Sequence, residues 1–415
     1  MSGTSQLADA GWLKQGEVAR LLSLLDRDGE EARVVGGAVR NELLRLPVGE
    51  IDVATTALPE EVMRRVAAAG GKAIPTGIEH GTVTAIIGHR PIEVTTLRQD
   101  VETFGRKARV AFGRDWRADA ERRDFTINAL SVTAAGELYD YVGGRDDIAA
   151  RRVRFIGEPQ RRIEEDYLRI LRFFRFHANF GEGAPDSAAL HACIVARAGL
   201  DALSRERVRA ELLKLLLAPR ATATLAIMAE CGLLGTILAG VAYLASFENL
   251  VKAEAALDAE PDAVRRLGAI GVWVKEDAER LTFRLRLSGA ESERLFGLEG
   301  WWRVAAHSDA QPSRALLYRL GPQSFVDRAL IAWARSDAGV ADDNWRQLAR
   351  LPQHWGAPDF PLKAADLMKR GIQAGPALGN ALRAAETAWI AADFPAEHSI
   401  LNEIADQAAR EVLAG

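Results

Sequence analysis

The chain has 415 residues, 48% of them apolar and 27% charged, with a formal net charge of −4. That length supports two or more domains with large apolar cores, and no uninterrupted apolar run reaches the roughly eighteen residues of a membrane span. The net charge does not advertise a nucleic-acid binder, and two cysteines, Cys193 and Cys231, are too few for a disulfide framework, lack metal-ligand spacing and read as core thiols.

Residues 12–26 mix apolar and charged side chains at helical spacing and lack the continuous apolar core of a signal peptide, so a cytoplasmic protein is expected. An apolar run then ends in Gly36-Gly37, a helix-like segment carries Arg40, and Glu50 and Asp52 flank Ile51 on a second apolar run. In an extended strand residues i and i+2 point to one face, which aims both carboxylates at one point. Two anions so close repel unless a cation lies between them, and an oxygen-only ligand set suits Mg2+ better than zinc. The glycines let backbone N–H groups approach a phosphate at a helix start, within reach of Arg40. A tight turn followed by a solvated acidic strand end is the bland alternative.

This stretch resembles the nucleotidyltransferase superfamily of class II tRNA CCA-adding enzymes and bacterial poly(A) polymerases. The family pattern is Gly-Gly-x-x-Arg followed by Asp-x-Asp, and here Glu50 takes the first carboxylate position. The resemblance implies an α+β fold, with a polymerase-beta-like head built on a small sheet followed by an all-α neck, body and tail. It also implies two Mg2+ held by Glu50 and Asp52, with Gly36, Gly37 and Arg40 cradling a triphosphate.

Further on, Pro59 with Glu60 and Glu61 marks a helix start, and 81–87 and 91–96 read as a hairpin around Gly88-His89-Arg90. Glu93 falls where a third catalytic carboxylate could sit, against the plainer reading of a solvent-facing strand acid. Residues 98–109 show no strong period and predict a long loop, with a surface hairpin tip as the alternative. In CCA-adding enzymes a flexible loop at this place helps the switch from adding C to adding A. The run Arg122-Arg123-Asp124-Phe125-Thr126-Ile127-Asn128-Ala129 supplies phosphate donors and ribose partners together. It is similar to a family element in which Arg122, Arg123, Asp124 and Asn128 would bind nucleotide.

Between Arg151 and Arg175 there are eight arginines against four acids, so the basic charge is concentrated there. Asp166, Arg169, Arg172 and Arg175 recur every three residues on an expected helix, which by itself describes a salt-bridged surface. The sharper reading is base selection. Cytosine and adenine both offer an amino donor beside a ring-nitrogen acceptor, and one carboxylate with one guanidinium, Asp166 and Arg169, could pair with either. The resemblance implies the same role for Glu165-Asp166-x-x-Arg169, places Arg172 and Arg175 at nucleotide-binding positions, and continues through 203–214. From 215 to 355 the pattern is helical, with Trp273, Trp301, Trp302, Trp333 and Trp345 expected in cores.

The expected organisation is an N-terminal helix (1–27), a catalytic head (28–150), a base-reading neck (151–215), a helical body (216–355) and a tRNA-binding tail (356–415). The expected activity is template-independent, magnesium-dependent addition of CMP, CMP and AMP, from CTP and ATP, to tRNA 3′ ends, with no membrane partner. A poly(A) polymerase of the same family and a non-catalytic RNA-binding protein on a degenerate scaffold are the rival readings.

Overall fold

The computed structural model describes residues 5–104, 107–305 and 310–414, and the chain divides into two compact units, 1–237 and 238–415. The first unit is built on a seven-stranded sheet of order β3-β4-β5-β2-β1-β8-β9. Its strands are β1 (Ala32–Val35), β2 (Asp52–Thr55), β3 (Lys72–Gly77), β4 (Thr82–Ile87) and β5 (Arg90–Thr96), completed by β8 (Ser131–Val132) and β9 (Leu138–Tyr139). All four residues of β1 are buried, as befits a central strand covered on both faces. In β4, buried Val83, Ala85 and Ile87 alternate with half-buried positions, the period-two pattern of a sheet with one core face. The expected β4–β5 hairpin is present, in continuous register from Thr82↔Thr95 to Ile87↔Arg90. Helix Pro59–Ala68 starts as expected, with Pro59 and both acids in its first turn.

Residues 98–109, expected as a long loop with a surface hairpin tip as the alternative, follow the alternative, forming a separate two-stranded ribbon of β6 (Arg98–Phe104) and β7 (Lys107–Phe112). The strands pair antiparallel from Arg98↔Phe112 to Phe104↔Lys107, with a register shift between Asp100 and Glu102. A ribbon that satisfies its backbone groups within itself needs only a weak apolar pattern, so periodicity did not reveal it. The connection at 105–106 lies outside the described residues.

After the sheet come helices Pro159–Glu165, Leu168–Phe180, Ser187–Val195 and Arg205–Leu216. The expected continuous helix through 165–175 is broken at Asp166, whose backbone is extended (φ −157°, ψ 106°). Its carboxylate accepts the Leu168 N–H at 3.1 Å, ending one helix and capping the next, the local competition that aspartate offers a helix. Leu168, Leu171, Phe173 and Phe174 are buried, and Phe173 packs within ring-stacking distance of Phe125 and Phe155. That aromatic cluster fastens the Leu168–Phe180 helix to the sheet-bearing part of the same unit.

The second unit is helical throughout its described residues. Its long Gln311–Ala334 segment kinks where Gly321 takes φ 73° before Pro322, a proline that cannot continue the hydrogen-bond ladder. Trp389, Ile390 and Leu401 form one core cluster, with Tyr318 packed against it. Of the five tryptophans expected in cores, Trp333 and Trp345 are buried, whereas Trp273 and Trp302 are exposed. For Trp273 the exposure has a physical source: the Arg335 guanidinium lies 4.4 Å over it and 4.7 Å over half-buried Trp301, so these rings spend their faces on a cation and leave edges in water; Trp302 packs edge-on against Trp301. Among the described residues no helix is long and apolar enough to cross a membrane.

Candidate active site

The topology brings the two halves of the first motif to one sheet edge. Because β1 and β2 are antiparallel, Val35 at the end of β1 pairs with Asp52 at the start of β2, and the turn beginning at Gly36 leaves the sheet beside that carboxylate. Gly36 has φ 72° and ψ −122°, a conformation that only glycine adopts without strain. Its N–H is held by the Leu130 carbonyl at 3.0 Å. Gly37 opens the Gly37–Leu43 helix. On the other side β2 runs parallel to β5, with Asp52 opposite Glu93, so the two carboxylates leave the sheet on the same face. Glu50 and Asp52 are exposed on either side of buried Ile51, which preserves the expected alternation although the strand begins only at Asp52.

The charge pattern agrees with this geometry. Partial desolvation, and then the charge of Glu93, push the Asp52 carboxyl above its ordinary pKa; Arg123 opposes them and Glu50 adds a smaller push. Crowded carboxylates of this kind fit a hard divalent cation with oxygen ligands. Among the described residues no three His, Cys, Asp or Glu side chains come together closely enough to cage an ion by themselves. A cation here would therefore complete its shell with phosphate and water oxygens, the ordinary habit of Mg2+.

Arg40 is placed differently from expectation. It is buried, donates to Asn128 Oδ1 at 2.5 Å and to Asn41 Oδ1 at 2.8 Å, and lies 3.9 Å over the Phe180 ring. Burial, then the charge of Arg175, lower its pKa to about 10. In this arrangement Arg40 orients Asn128 and ties the glycine turn to the Leu168–Phe180 helix, and the turn's N–H groups are left to meet a phosphate.

Asp124 is the hub of the second motif. Its carboxylate accepts from Arg172 Nε at 2.8 Å and Nη2 at 2.6 Å, from Asn128 at 3.2 Å and from the Phe125 N–H at 2.9 Å. Burial works against its ionisation, but the Arg172 charge and these hydrogen bonds together win and hold the pKa below the ordinary value. Arg122 and Arg123 are both anchored by buried Asp119, at 2.6 Å and 3.2 Å, and the ideal Cβ position of Gly36 lies 3.5 Å from Arg123 Nη1. The Arg-Arg-Asp motif therefore turns a half-exposed guanidinium toward the glycine turn.

The base-reading candidates are brought near one another but not paired. Asp166 accepts from Arg207 Nη2 at 2.6 Å. Arg169 donates to Glu165 at 2.6 Å and to the Arg162 carbonyl at 2.7 Å. Arg175 is held by Glu211 at 2.5 Å, and Arg172 lies 3.7 Å from the same carboxylate. Sequence reasoning assigned no role to Asp119, Arg162, Arg207 or Glu211. Asp119 was detectable from its i, i+3 and i, i+4 spacing to Arg122 and Arg123; Arg207 and Glu211 reach the site from a separate helix. Arg162 donates to the carbonyls of Arg122 and Arg123 at 2.6 Å and 2.7 Å, joining the two motifs through backbone atoms that no sequence pattern marks.

A family model described as the poly A polymerase head domain matches residues 32–154, and one described as the probable RNA and SrmB-binding site of polymerase A matches 187–244. The mouse mitochondrial CCA tRNA nucleotidyltransferase 1 is 34% identical over 375 residues, covering 89% of this chain and 85% of the mouse protein. The chain belongs to the CCA tRNA nucleotidyltransferase family. The Geobacillus stearothermophilus CCA-adding enzyme is 41% identical over 221 residues, 52% of this chain and 53% of that enzyme. A crystal structure of the Bacillus stearothermophilus CCA-adding enzyme in complex with CTP superposes with a TM-score of 0.77 at 27% identity, covering all of both chains. The fold of a nucleotidyltransferase head followed by helices is thereby shared with solved members of the family. The chain is a nucleotidyltransferase, of a type that generally uses divalent metals.

Proposed function

We propose that the protein adds C, C and A to the 3′ end of tRNA without a nucleic-acid template. The observation that carries the reading is the row formed by Glu93, Asp52 and the end of β1, which sets paired carboxylates beside the Gly36-Gly37 turn. The family's CCA-adding members, including one bound to CTP and others bound to ATP or to tRNA, support the choice of substrates.

In the reaction the terminal hydroxyl oxygen of tRNA forms a bond to the α-phosphorus of CTP or ATP, the bond to the β-phosphate oxygen breaks, and pyrophosphate leaves. Glu50 and Asp52 would hold Mg2+, with Glu93 adding negative charge opposite Asp52, and the ion would supply neutralisation of the charge gathering on the phosphates. The N–H groups following Gly36 and the Arg123 guanidinium hold the triphosphate. Arg122 is the second phosphate donor. Asp124 and Asn128 accept and donate to the ribose, kept in place by Arg172 and Arg40.

Asp166 and Arg169 read the base edge. For both to do so, Arg207 and Glu165 must yield part of their present hydrogen bonds, and a base that cannot replace them leaves buried polar groups unpaired. Most of the rate gain is then positional and electrostatic. The cytoplasmic location is proposed on the charge-bearing character of residues 12–26 alone, since the mouse and human relatives are named as mitochondrial.

The test is incorporation of each labelled nucleoside triphosphate, with Mg2+, into tRNA transcripts ending before CCA, after C and after CC. Ordered addition that stops after A is expected, and Asp52→Asn should reduce it by roughly 10³-fold with tRNA binding intact. Repeated A addition would replace this reading with poly(A) polymerase, and binding without incorporation would leave an inactive scaffold.

A further inference from the structure

At the far end of the Gly37–Leu43 helix from the glycine turn, on the order of 10 Å away by helical rise, lies a cavity of about 340 Å³. Its floor is apolar, with Leu43, Leu44 and Ile148, and its rim carries three arginines, Arg45, Arg145 and Arg151. Among the described residues the cavity lining includes no acidic side chain. Arg151 forms an ion pair with Glu182 at 3.8 Å, while Arg45 and Arg145 are exposed and, among the described residues, make no ion pair.

The backbone beneath two of these side chains is unusual. The Gly37–Leu43 helix ends with Arg45 N–H on the Glu42 carbonyl and Leu46 N–H on Asn41. The Gly144–Ala149 helix ends in the same way, with Arg151 N–H on Ile148 and Arg152 N–H on Asp147. Both are Schellman endings, whose left-handed residue is ordinarily glycine because a Cβ is strained there. Here that residue is Arg45 at φ 57° and Arg151 at φ 50°. Of the arginines held at positive φ in the described residues, Arg45, Arg151 and Arg286, two face this one cavity. Two independent helices thus each carry backbone strain that glycine would remove, and what the strain retains in both cases is a guanidinium on the same rim. Strain kept at two converging positions is the mark of a site.

We propose that this cavity binds a backbone phosphate of the RNA substrate, upstream of the 3′ end that reacts at Asp52. Three guanidiniums, of which among the described residues only Arg151 has an acidic partner, Glu182 at 3.8 Å, complement a phosphodiester, and the apolar floor fits the face of a ribose. The loop 46–49 that follows Arg45 leads directly to Glu50, and Arg90 ties it down through the Gly49 carbonyl at 2.6 Å. A phosphate seated here would therefore register the RNA against the catalytic edge through only a few residues. The inference rests on the proposed action on tRNA.

The test combines Arg45→Gly, Arg145→Gln and Arg151→Gly, with Arg145→Gln alone as a variant that leaves the left-handed residues untouched. Affinity for a tRNA transcript ending in CC is measured by filter binding across a salt series, beside the KM for CTP and ATP and the melting temperature. The expected result for the triple variant is a weakening of about tenfold or more at moderate salt, with a salt slope smaller by roughly two to three. Melting temperature should be equal or higher, since glycine relieves the strain, and the nucleotide KM should not move. For Arg145→Gln the slope should fall by roughly one. Unchanged tRNA affinity and slope would overturn the proposal, as would a raised CTP KM with tRNA binding intact. If the wild-type protein binds tRNA yet adds nothing to it, the functional reading fails separately, and the salt slope still decides the cavity.

Discussion

Two arginine–carboxylate networks, one in each unit, use the same chemistry for opposite ends. In the second unit Glu254 and Asp327 are buried along with Arg265 and Arg266. Arg265 and Arg266 donate to the two oxygens of Glu254 at 2.8 Å, and Arg294 binds Asp327 at 2.7 Å and Asp262 at 3.0 Å. Each of these charges is spent on another inside the protein. In the first unit Asp124, Arg172, Glu211 and Arg175 are also linked, but Arg172 stays about one-third exposed and the nearby Asp52, Glu50 and Glu93 have no arginine bonded to them among the described residues. The two aspartates titrate in opposite directions: burial outweighs Arg294 and Arg265 at Asp327 and raises its pKa, whereas Arg172 and the hydrogen bonds around it outweigh burial at Asp124 and lower it. A closed network locks packing, and an open one leaves charge available for a ligand.

The sharpest way to break this contrast is one substitution made in both places. Asp327→Asn should cost about 1–3 kcal/mol of stability, because it takes one buried carboxylate from Arg294 and leaves Asp262 as that side chain's remaining partner, while nucleotide incorporation by the folded variant stays at the wild-type level. Asp124→Asn should lower kcat/KM for CTP and ATP by about 10²–10³-fold, with a stability loss at least as large as at Asp327, since Arg172 and Asn128 lose a carboxylate that the fold holds ionised. Denaturant unfolding and steady-state kinetics on both variants check this, and equal patterns for the two would erase the distinction.

A second test uses acid. His177 is buried, and burial followed by the Arg220 charge lowers its pKa from 6.5 to about 4. The folded state thus binds its proton less readily than the unfolded chain. The stability contribution is complete above pH 6.5 and is lost as pH falls from there to about 4, by on the order of 2–3 kcal/mol. Denaturant midpoints at pH 7 and pH 4.5 should show that loss in the wild type and a flatter profile in His177→Phe. The smallest expected effect is at the turn itself. Gly36→Ala forces a Cβ into a positive-φ conformation and should cost about 1–2 kcal/mol, visible both as a lower midpoint and as a higher KM for nucleotide.

Much of the first unit was legible in the chain. The β4–β5 hairpin, the helix starting at Pro59 and the exposed–buried–exposed alternation at Glu50, Ile51 and Asp52 follow from local patterning that the tertiary structure did not override. At 98–112 a loop was the first reading and a surface hairpin tip its alternative, and the β6–β7 pairing favours the alternative; two strands that hydrogen-bond only to each other need no strong apolar period in the sequence. The break at Asp166 was missed because its cause is one side chain capping the next helix, while the three-residue spacing of arginines continued through it. Trp273 and Trp302 were expected inside, and for Trp273 hydrophobicity alone could not anticipate the Arg335 guanidinium that takes the ring face.

By itself the sequence determined many of the local elements and the family to which the chain belongs, and it named the residues expected to carry chemistry, since capping, alternation and short motifs are written in neighbouring residues. Only the tertiary structure decided who meets whom. The parallel register of β2 and β5 sets Glu93 opposite Asp52 across some forty residues of chain. Arg40 was turned inward to Asn128 and Phe180 rather than outward. Arg207 and Glu211 came from another helix to hold Asp166, Arg175 and Arg172. Those pairings depend on packing free energy summed over the whole unit, and no short window of sequence contains that sum.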